Sequence, residues 1–226
     1  MMNTSMHDIW ASTENGPIQT FFTDLKKFPI YYHKDNDGGG TSFGQDYLRI
    51  IGEKYPNKQF DNCFEWCSGP GFIGYSILEH GLCKRLFLAD MWKPAIDDAE
   101  FTRHMLPLDY RKKVIIFLLK DISLIPTYHK FDLIVGNPPH FLNKITKTSQ
   151  NSVTNRICTD LDWQTHKNFF QNIRKNMLKT STILIQENSE GSSIVDFENM
   201  IKTNGFVISD VFSSTNPYYY IEVKIA

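Results

Sequence analysis

Short apolar runs alternate with amphipathic stretches through most of the chain. Seven of the runs have the length of a strand, and the middle ones are apolar on both faces, which is typical of a parallel sheet covered by helices. The runs span residues 64–67, 85–90, 114–119, 131–136, 181–186, 206–212 and 218–225. Helical spacing is present at residues 72–80, 93–105, 163–178 and 192–203. The alternation predicts an α/β sandwich with a mostly parallel sheet.

The end of the chain predicts one reversed strand. Only five residues separate the run at 206–212 from the run at 218–225, which is too short for a parallel crossover. The last strand is therefore expected to return antiparallel, as a hairpin. Gly81 and Gly205 follow two of the predicted helices, where glycine commonly ends a helix.

Two segments stand apart from this alternation. Residues 1–40 are predicted to be an N-terminal extension, a substrate or lid element, in front of one domain at 41–226. Within the extension, apolar spacing predicts a helix over 18–28, and an aromatic-rich stretch then leads to the glycine run at 38–40. The polar residues 143–160 lack periodicity and exceed the usual length of a connection, so we expect a functional or mobile loop there.

Composition narrows the class of protein. Lys and Arg number 24 against 25 Asp and Glu, a formal charge of −1, so any affinity for a phosphate backbone requires a local patch. The four cysteines form no C-x-x-C pair and no Cys/His ligand spacing, which predicts free thiols, no metal site and a cytoplasmic protein. We expect neither a signal peptide nor a membrane helix, which would need about 18 uninterrupted apolar residues.

The first predicted strand leads into a turn of small residues and then into a helix. The turn has the pattern E-x-C-x-G-x-G and runs through Glu65, Trp66, Cys67, Ser68, Gly69, Pro70 and Gly71. Small residues at such a turn let a ligand approach the backbone. Asp90, at the end of the second strand, is placed to accept both ribose hydroxyl hydrogens of an adenosyl group, and Asp121 to hold its adenine amino group. Met91, Ile122 and Asn137 complete the predicted cofactor site.

Each of these features also has a simpler explanation. The glycine turn fits a tight connection between strand and helix without a ligand, and either aspartate fits a helix N-cap. The ends of parallel strands meet at one edge of a sheet, however, so Glu65, Asp90 and Asp121 would face a single crevice. Their combination favours a ligand.

The most specific segment is the predicted strand at 131–136, which stops at Asn137-Pro138-Pro139-His140-Phe141. Such a segment suits the orientation of a planar nitrogen for methyl transfer from a sulfonium. An amide or exocyclic amino nitrogen is conjugated, so it becomes nucleophilic only when its lone pair is turned toward the sulfonium methyl group. The Asn137 side-chain oxygen and the Pro138 carbonyl are placed to accept its two N–H groups, with the prolines fixing the angle. We expect His140 to stack on the planar target rather than act as a base, with Phe141 beside it.

Together these residues resemble the class I S-adenosylmethionine-dependent N-methyltransferases that carry Asn-Pro-Pro-Tyr or Asn-Pro-Pro-Phe after the fourth strand. The resemblance covers residues 60–226. It implies a Rossmann-like sandwich of seven strands with an antiparallel last strand, and S-adenosylmethionine as cofactor. It also implies methyl transfer to a protein glutamine or to adenine or guanine in RNA or DNA. Cys67 and His140 depart from the family pattern, and a weaker likeness at 40–46 lies where the family often contacts the methionine end of the cofactor.

Several alternatives remain at this point. The first is a catalytically silent methyltransferase fold that serves as a binding or activating subunit, which the two departures keep open. A nicotinamide-dependent dehydrogenase is weaker, because the turn lacks the full G-x-G-x-x-G. Asn-Pro-Pro does not distinguish protein from nucleic acid as the acceptor. Lys144, Lys147 and Arg156 would meet a phosphate backbone or simply keep the loop in water.

Overall fold

The computed structural model describes residues 17–142, 158–214 and 217–226. The strands in these residues are β1 (Ile18–Phe21), β2 (Ile30–His33), β3 (Phe60–Trp66), β4 (Cys83–Asp90), β5 (Val114–Leu118), β6 (Phe131–Gly136), β7 (Met177–Asn188), β8 (Phe206–Ser213) and β9 (Tyr218–Ile225). The α-helices are α1 (Gly40–Lys54), α2 (Phe72–Glu79), α3 (Lys93–Met105), α4 (Leu108–Arg111), α5 (Gln164–Asn172) and α6 (Ile194–Thr203). Short 3-10 turns lie at Lys34–Asn36, Ile122–Leu124, Leu161–Trp163 and Ile173–Asn176. None of the helices in these described ranges is long and apolar enough to span a bilayer.

Seven strands form one sheet in the order β5-β4-β3-β6-β7-β9-β8. Strands β3 to β7 pair in parallel, whereas β9 is antiparallel to both β7 and β8. The predicted sandwich with a reversed last strand is therefore confirmed. The order also places β9 inside the sheet, between β7 and β8.

The sheet separates two apolar cores, since successive side chains of a strand point to opposite faces. On one face, Tyr47 and Tyr75 of helices α1 and α2 pack with Cys63 of β3. On the other face, Phe169 of α5 stacks on Trp66 of β3 with ring centroids 4.0 Å apart. Each central strand is thus covered on both sides, as its continuous apolar sequence predicts.

The helix predicted over 18–28 is wrong. Residues 18–21 and 30–33 form an antiparallel hairpin, with Ile18 opposite His33 and Phe21 opposite Ile30. The apolar spacing was misleading because Phe22 and Leu25 are 48% and 43% exposed, so they form no buried helical face. Phe21 instead packs edge-on against Phe72, with centroids 5.7 Å apart, and this contact fixes the hairpin beside α2.

Most other predicted elements agree with the structure within a few residues, but the predicted helix at 163–178 is too long. Helix α5 ends at Asn172, a 3-10 turn follows, and β7 already begins at Met177. Most of the predicted loop at 143–160, including Lys144, Lys147 and Arg156, lies outside the described residues. Its two flanks meet, because the amide of Phe141 donates to the carbonyl of Cys158 at 2.9 Å and the amide of Asp160 donates to that of Phe141 at 2.9 Å.

Candidate functional site

The carboxyl ends of β4, β3 and β6 border a cavity of about 420 Å³. These strands are neighbours in the sheet and run in parallel, so their ends meet at one edge. Nine of the predicted site residues line the cavity, namely Glu65, Cys67, Ser68, Gly69, Pro70, Asp90, Met91, Asn137 and Pro139. A second cavity of about 340 Å³ is lined by Asp121 and Ile122 and shares Cys67, Asp90 and Met91 with the first. The predicted acids therefore lie along one continuous crevice.

The turn after β3 places three residues in the left-handed backbone region. Cys67 has φ 51°, Gly69 has φ 53° and Gly71 has φ 87°. Gly71 also has no space for a side chain, because a Cβ there would lie 2.7 Å from Cδ1 of Leu88. Gly71 lies outside the lining of both cavities and shapes the turn, whereas Cys67 lines both. Burial raises the pKa of the Cys67 thiol, so this side chain stays protonated at neutral pH.

Asp90 ties the two sides of the crevice together. Its Oδ2 accepts the backbone N–H of Gly69 at 2.8 Å, and its Oδ1 accepts that of Trp92 at 2.8 Å. Burial raises the pKa of Asp90, and these two hydrogen bonds oppose the effect by favouring the charged form. Each carboxylate oxygen has capacity for a second hydrogen bond, so a ligand hydroxyl group still finds an acceptor here.

Glu65 lines the first cavity and is only 2% exposed. Its Oε2 accepts the backbone N–H of Gly74, in the first turns of α2, at 2.7 Å. Burial raises the pKa of Glu65 to about 8, and the nearby charge of Asp90 contributes in the same direction. The carboxyl group is therefore mostly neutral at pH 7 and is poised to ionise when a cation arrives.

The charges around the first cavity are one-sided. Of the described residues that line it, Glu65 and Asp90 carry carboxyl groups and none is Lys or Arg. Among the described residues that line the second cavity, Lys120, next to Asp121, is the one cation. Two acids without a balancing cation favour a positively charged ligand in the first cavity over an anionic one.

Asn137 presents a buried acceptor oxygen that has no partner in the part of the chain that the structure describes. Its side-chain N–H group lies 3.4 Å from the Gly38 carbonyl, while its Oδ1 is buried and makes no hydrogen bond with any described residue. The peptide before it is fixed, because the Tyr47 hydroxyl donates to the Gly136 carbonyl at 2.5 Å and accepts from the Gln186 amide at 2.9 Å. An unpaired buried oxygen costs free energy, and a ligand N–H group would remove that cost.

Asp121 serves as a turn cap and also lines the second cavity. It begins the 3-10 turn by accepting the backbone N–H of Ser123 at 2.7 Å, and it accepts the side chain of Asn168 at 3.0 Å. These hydrogen bonds lower the pKa of Asp121, so its carboxylate is ionised at neutral pH. The simpler N-cap explanation is therefore correct for this residue, and its position on the cavity wall is compatible with both roles.

Only part of the segment 137–141 borders a cavity. Pro138, His140 and Phe141 are absent from the described lining of both cavities. The His140 residue is only 9% exposed, and its Nδ1 faces Oε2 of Glu187 at 3.3 Å. Within the described residues, no cluster of three or more His, Cys, Asp or Glu side chains is arranged to hold a metal ion.

The N-terminal segment supplies a wall of the first cavity that the sequence indicated only in part. Asn36, Gly38 and Gly40 line the first cavity. Asp98 of α3 holds this wall in place, since it accepts the side-chain amide of Asn36 at 2.7 Å and the backbone N–H of His33 at 2.9 Å. Gly40 belongs to the likeness at 40–46, whereas Asn36 and Gly38 were not predicted as site residues. The glycine run was a signal for this wall, because small residues let a backbone approach a ligand closely.

Known proteins resemble the chain over part of its length. No protein-family model matches it. A curated relative, ribosomal RNA large subunit methyltransferase I of Vibrio campbellii, is 33% identical over 90 residues, which are 38% of this chain and 22% of the relative. The match therefore spans about a fifth of that relative's length.

Solved structures share the fold. The ribosomal protein L11 methylase of Lactobacillus delbrueckii subsp. bulgaricus superposes with a TM-score of 0.57 at 11% identity, covering 80% of this chain and 78% of the other. A glycopeptide N-methyltransferase in complex with sinefungin superposes with a TM-score of 0.58 at 9% identity, covering 81% and 94%. At these identities the likeness establishes the Rossmann-like architecture.

Proposed function

We propose that this chain binds S-adenosylmethionine in the crevice and transfers its methyl group to an amide or exocyclic amino nitrogen. The observation that carries the proposal is the buried Oδ1 of Asn137, which has no partner among the described residues and belongs to a residue that lines a cavity with two acids. An acceptor N–H group and a cationic methyl donor satisfy these two features together. The methyltransferases among its relatives and structural neighbours support the same activity.

The two adjoining cavities suit the two ends of the cofactor. S-adenosylmethionine is a sulfonium, and the charges of its α-ammonium and α-carboxylate groups cancel, so it carries a net positive charge that suits the first cavity. Its methionine end fits near Glu65, and its ribose hydroxyls fit at Asp90, which lines both cavities. Its adenine end fits the second cavity beside Asp121. A nicotinamide dinucleotide would bring a diphosphate to a wall whose described residues include two carboxyl groups and no Lys or Arg. This distribution of charge speaks against the dehydrogenase alternative.

When bound, the cofactor supplies an electrophilic methyl group whose bond to sulfur breaks as the bond to nitrogen forms. Asn137 accepts an N–H hydrogen bond through Oδ1 and so turns the nitrogen lone pair toward that methyl group. Pro139 forms part of the same wall and limits the motion of the acceptor. The surplus proton of the methylated nitrogen leaves to water after transfer, so no side chain has to act as a strong base.

RNA is the acceptor that we favour. The curated relative is named as a ribosomal RNA methyltransferase, and this likeness rests on 33% identity, whereas the ribosomal protein methylase is only 11% identical. A formal charge of −1 leaves no general attraction to a phosphate backbone, so RNA binding requires a local basic surface. A protein glutamine would present a similar N–H edge to Asn137, and a transfer assay distinguishes it from RNA by the fraction that takes up the methyl label.

The proposal is tested first by binding and then by transfer. We expect sinefungin and S-adenosylmethionine to bind the full chain in titration calorimetry. We then expect radiolabelled methyl groups to enter an RNA fraction prepared from cells that lack the protein. Label in the protein fraction instead would replace the acceptor, while binding without any transfer would support the silent-subunit alternative. Absence of binding would overturn the proposal.

Cofactor binding is expected to release a proton from Glu65. Because the free pKa is about 8 and a cation beside the carboxyl group lowers it, the group passes from mostly neutral to ionised. At pH 7 this change releases close to one proton, about 0.9 at most. Affinity should therefore rise with pH up to about 8 and level off above that value. Calorimetry in buffers with different ionisation enthalpies measures the release, and Glu65→Gln should abolish it.

Asp90→Ala is expected to weaken cofactor binding by about 1 to 3 kcal/mol, the range for losing a charge-assisted acceptor. The matched control is Asp132→Ala, because Asp132 also accepts two backbone N–H groups, from Asp61 at 2.8 Å and Asn62 at 2.7 Å, away from the cavity. Both variants should unfold at lower temperature, but only Asp90→Ala should change the calorimetric affinity. Equal affinities would show that Asp90 acts only as a turn cap.

A further inference from the structure

A hydrogen-bonded network of buried polar side chains contacts the Asn-Pro-Pro-His turn through His140. His140 Nδ1 faces Glu187 Oε2 at 3.3 Å, and the other carboxylate oxygen of Glu187 accepts from His166 Nε2 at 2.9 Å. His166 Nδ1 lies 2.7 Å from Asp160 Oδ2, and Ser192 Oγ donates to Glu187 Oε2 at 3.0 Å. Burial of His166, Glu187 and Asp160 is nearly complete, with at most 3% of each residue exposed.

The hydrogen-bond geometry indicates which side chains of this network are charged. Both ring nitrogens of His166 face carboxylate oxygens, which only accept, so both must carry hydrogen and the ring is positive. Burial alone would lower the pKa of His166, but Glu187 and Asp160 raise it to about 9. Glu187 in turn accepts from His140, so Nδ1 of His140 carries the hydrogen and the ring orientation is set.

This network joins two parts of the wall of the first cavity. Strand β6 ends at Gly136 opposite Ile185, so Glu187, two residues further along β7, lies beside the turn that presents Asn137 and Pro139 to the cavity. On the other side, Asp160 accepts the backbone N–H of Thr165 at 2.8 Å, and Thr165 lines the cavity. Glu187 and His166 therefore connect the wall that holds Asn137 with the wall at the start of α5.

We propose that Glu187 is a positioning residue, which holds the Asn-Pro-Pro-His turn through His140 and sets the direction in which Asn137 meets the acceptor. The consequence for catalysis rests on the proposed function. His140 lines neither cavity and faces Glu187, so in this proposal it orients the turn. This role replaces the stacking on the target that its position in the motif led us to expect. Removing Glu187 would leave the cavity and its acids in place but would loosen the turn.

Glu187→Gln removes the charge and leaves one oxygen to serve both histidines, so one ring must face an N–H group. We expect hydrogen exchange of the backbone amides in residues 136–142 to rise at least about tenfold, and single-turnover methyl transfer to fall about 10- to 100-fold. Sinefungin affinity should stay within about threefold of wild type. The control is Glu222→Gln, a buried carboxylate of β9 that accepts from Lys54 at 2.7 Å; it should lower stability but change neither measurement.

Two substitutions of His140 separate positioning from stacking. His140→Asn keeps an N–H donor near the Nδ1 position and has no ring, whereas His140→Phe keeps a ring and has no donor. Positioning predicts that the Asn variant retains most of the transfer rate and slow exchange in 136–142, and that the Phe variant behaves like Glu187→Gln. The reverse order, or unchanged exchange in Glu187→Gln, would overturn the proposal. If wild type neither binds sinefungin nor transfers label, the proposed function fails, while exchange still decides whether Glu187 holds the turn.

Discussion

Asn137→Ala is expected to lower the rate of methyl transfer about 100-fold or more, while sinefungin still binds with nearly wild-type affinity. The reason is that Oδ1 of Asn137 is buried without a partner among the described residues. On the proposed function, this oxygen accepts a hydrogen bond from the N–H group of the methyl acceptor, and the bond strengthens as the nitrogen rehybridises. The alanine substitution removes the Oδ1 hydrogen-bond acceptor of Asn137 and leaves the two carboxyl groups of the cavity unchanged. Calorimetry and single-turnover transfer of radiolabel measure the two effects separately.

Asn137→Asp is the matched control for that loss. It keeps an oxygen at the same place but replaces the N–H group that faces the Gly38 carbonyl at 3.4 Å. If orientation by a hydrogen-bond acceptor is what matters, the aspartate variant should lose less activity than the alanine variant. A full rate in Asn137→Ala would remove the basis for transfer to nitrogen. A parallel loss of sinefungin binding would instead assign Asn137 to the cofactor.

Cys67→Leu is expected to weaken cofactor binding at least about 100-fold, because a larger side chain would enter both cavities at the point where they join. Cys67→Gly should retain binding. Its folded state should also gain about 1 kcal/mol, since φ 51° strains any residue with a Cβ and glycine adopts this region freely. Urea denaturation measures the gain in stability, and calorimetry measures the affinity.

The comparison between these two variants contains its own control, because the backbone position is the same. If the glycine variant binds as weakly as the leucine variant, the thiol itself contributes to the cofactor contact. If the leucine variant binds tightly, the ligand lies away from this turn, and the assignment of the crevice is wrong.

Much of the sheet followed directly from local sequence. Strands β6 and β9 have the bounds predicted from their apolar runs, and helix α3 has those predicted from its spacing. Gly81 and Gly205 adopt φ 72° and 77°, as expected of glycines that end helices. These features depend on neighbours within a few positions, and such neighbours are visible in one sequence.

The structural features that the sequence did not predict correctly depend on contacts between residues far apart in the chain. The hairpin at 18–33 is stabilised by tertiary contacts, such as the backbone N–H of Lys27 donating to the Glu79 carboxylate at 2.5 Å, so its apolar spacing carried a false helical signal. The buried hydrogen-bonded network beside the turn could not be predicted for the same reason, because Asp160, His166 and Glu187 show no common spacing in the sequence. Buried polar pairs of this kind become apparent only when the strands are in register.

The position of β9 inside the sheet affects how the protein folds during synthesis. Strands β3 to β7 leave the ribosome first, and Ile183 and Ile185 of β7 then lie on an unpaired edge that can recruit other chains until β9 arrives. Strand β9 also brings Tyr219, whose hydroxyl lies 3.2 Å from the Ser192 hydroxyl that donates to Glu187. On the proposed role of Glu187, the support of the Asn-Pro-Pro-His turn is therefore completed last, and a nascent chain that has not reached β9 exposes an aggregation-prone edge before this support is in place.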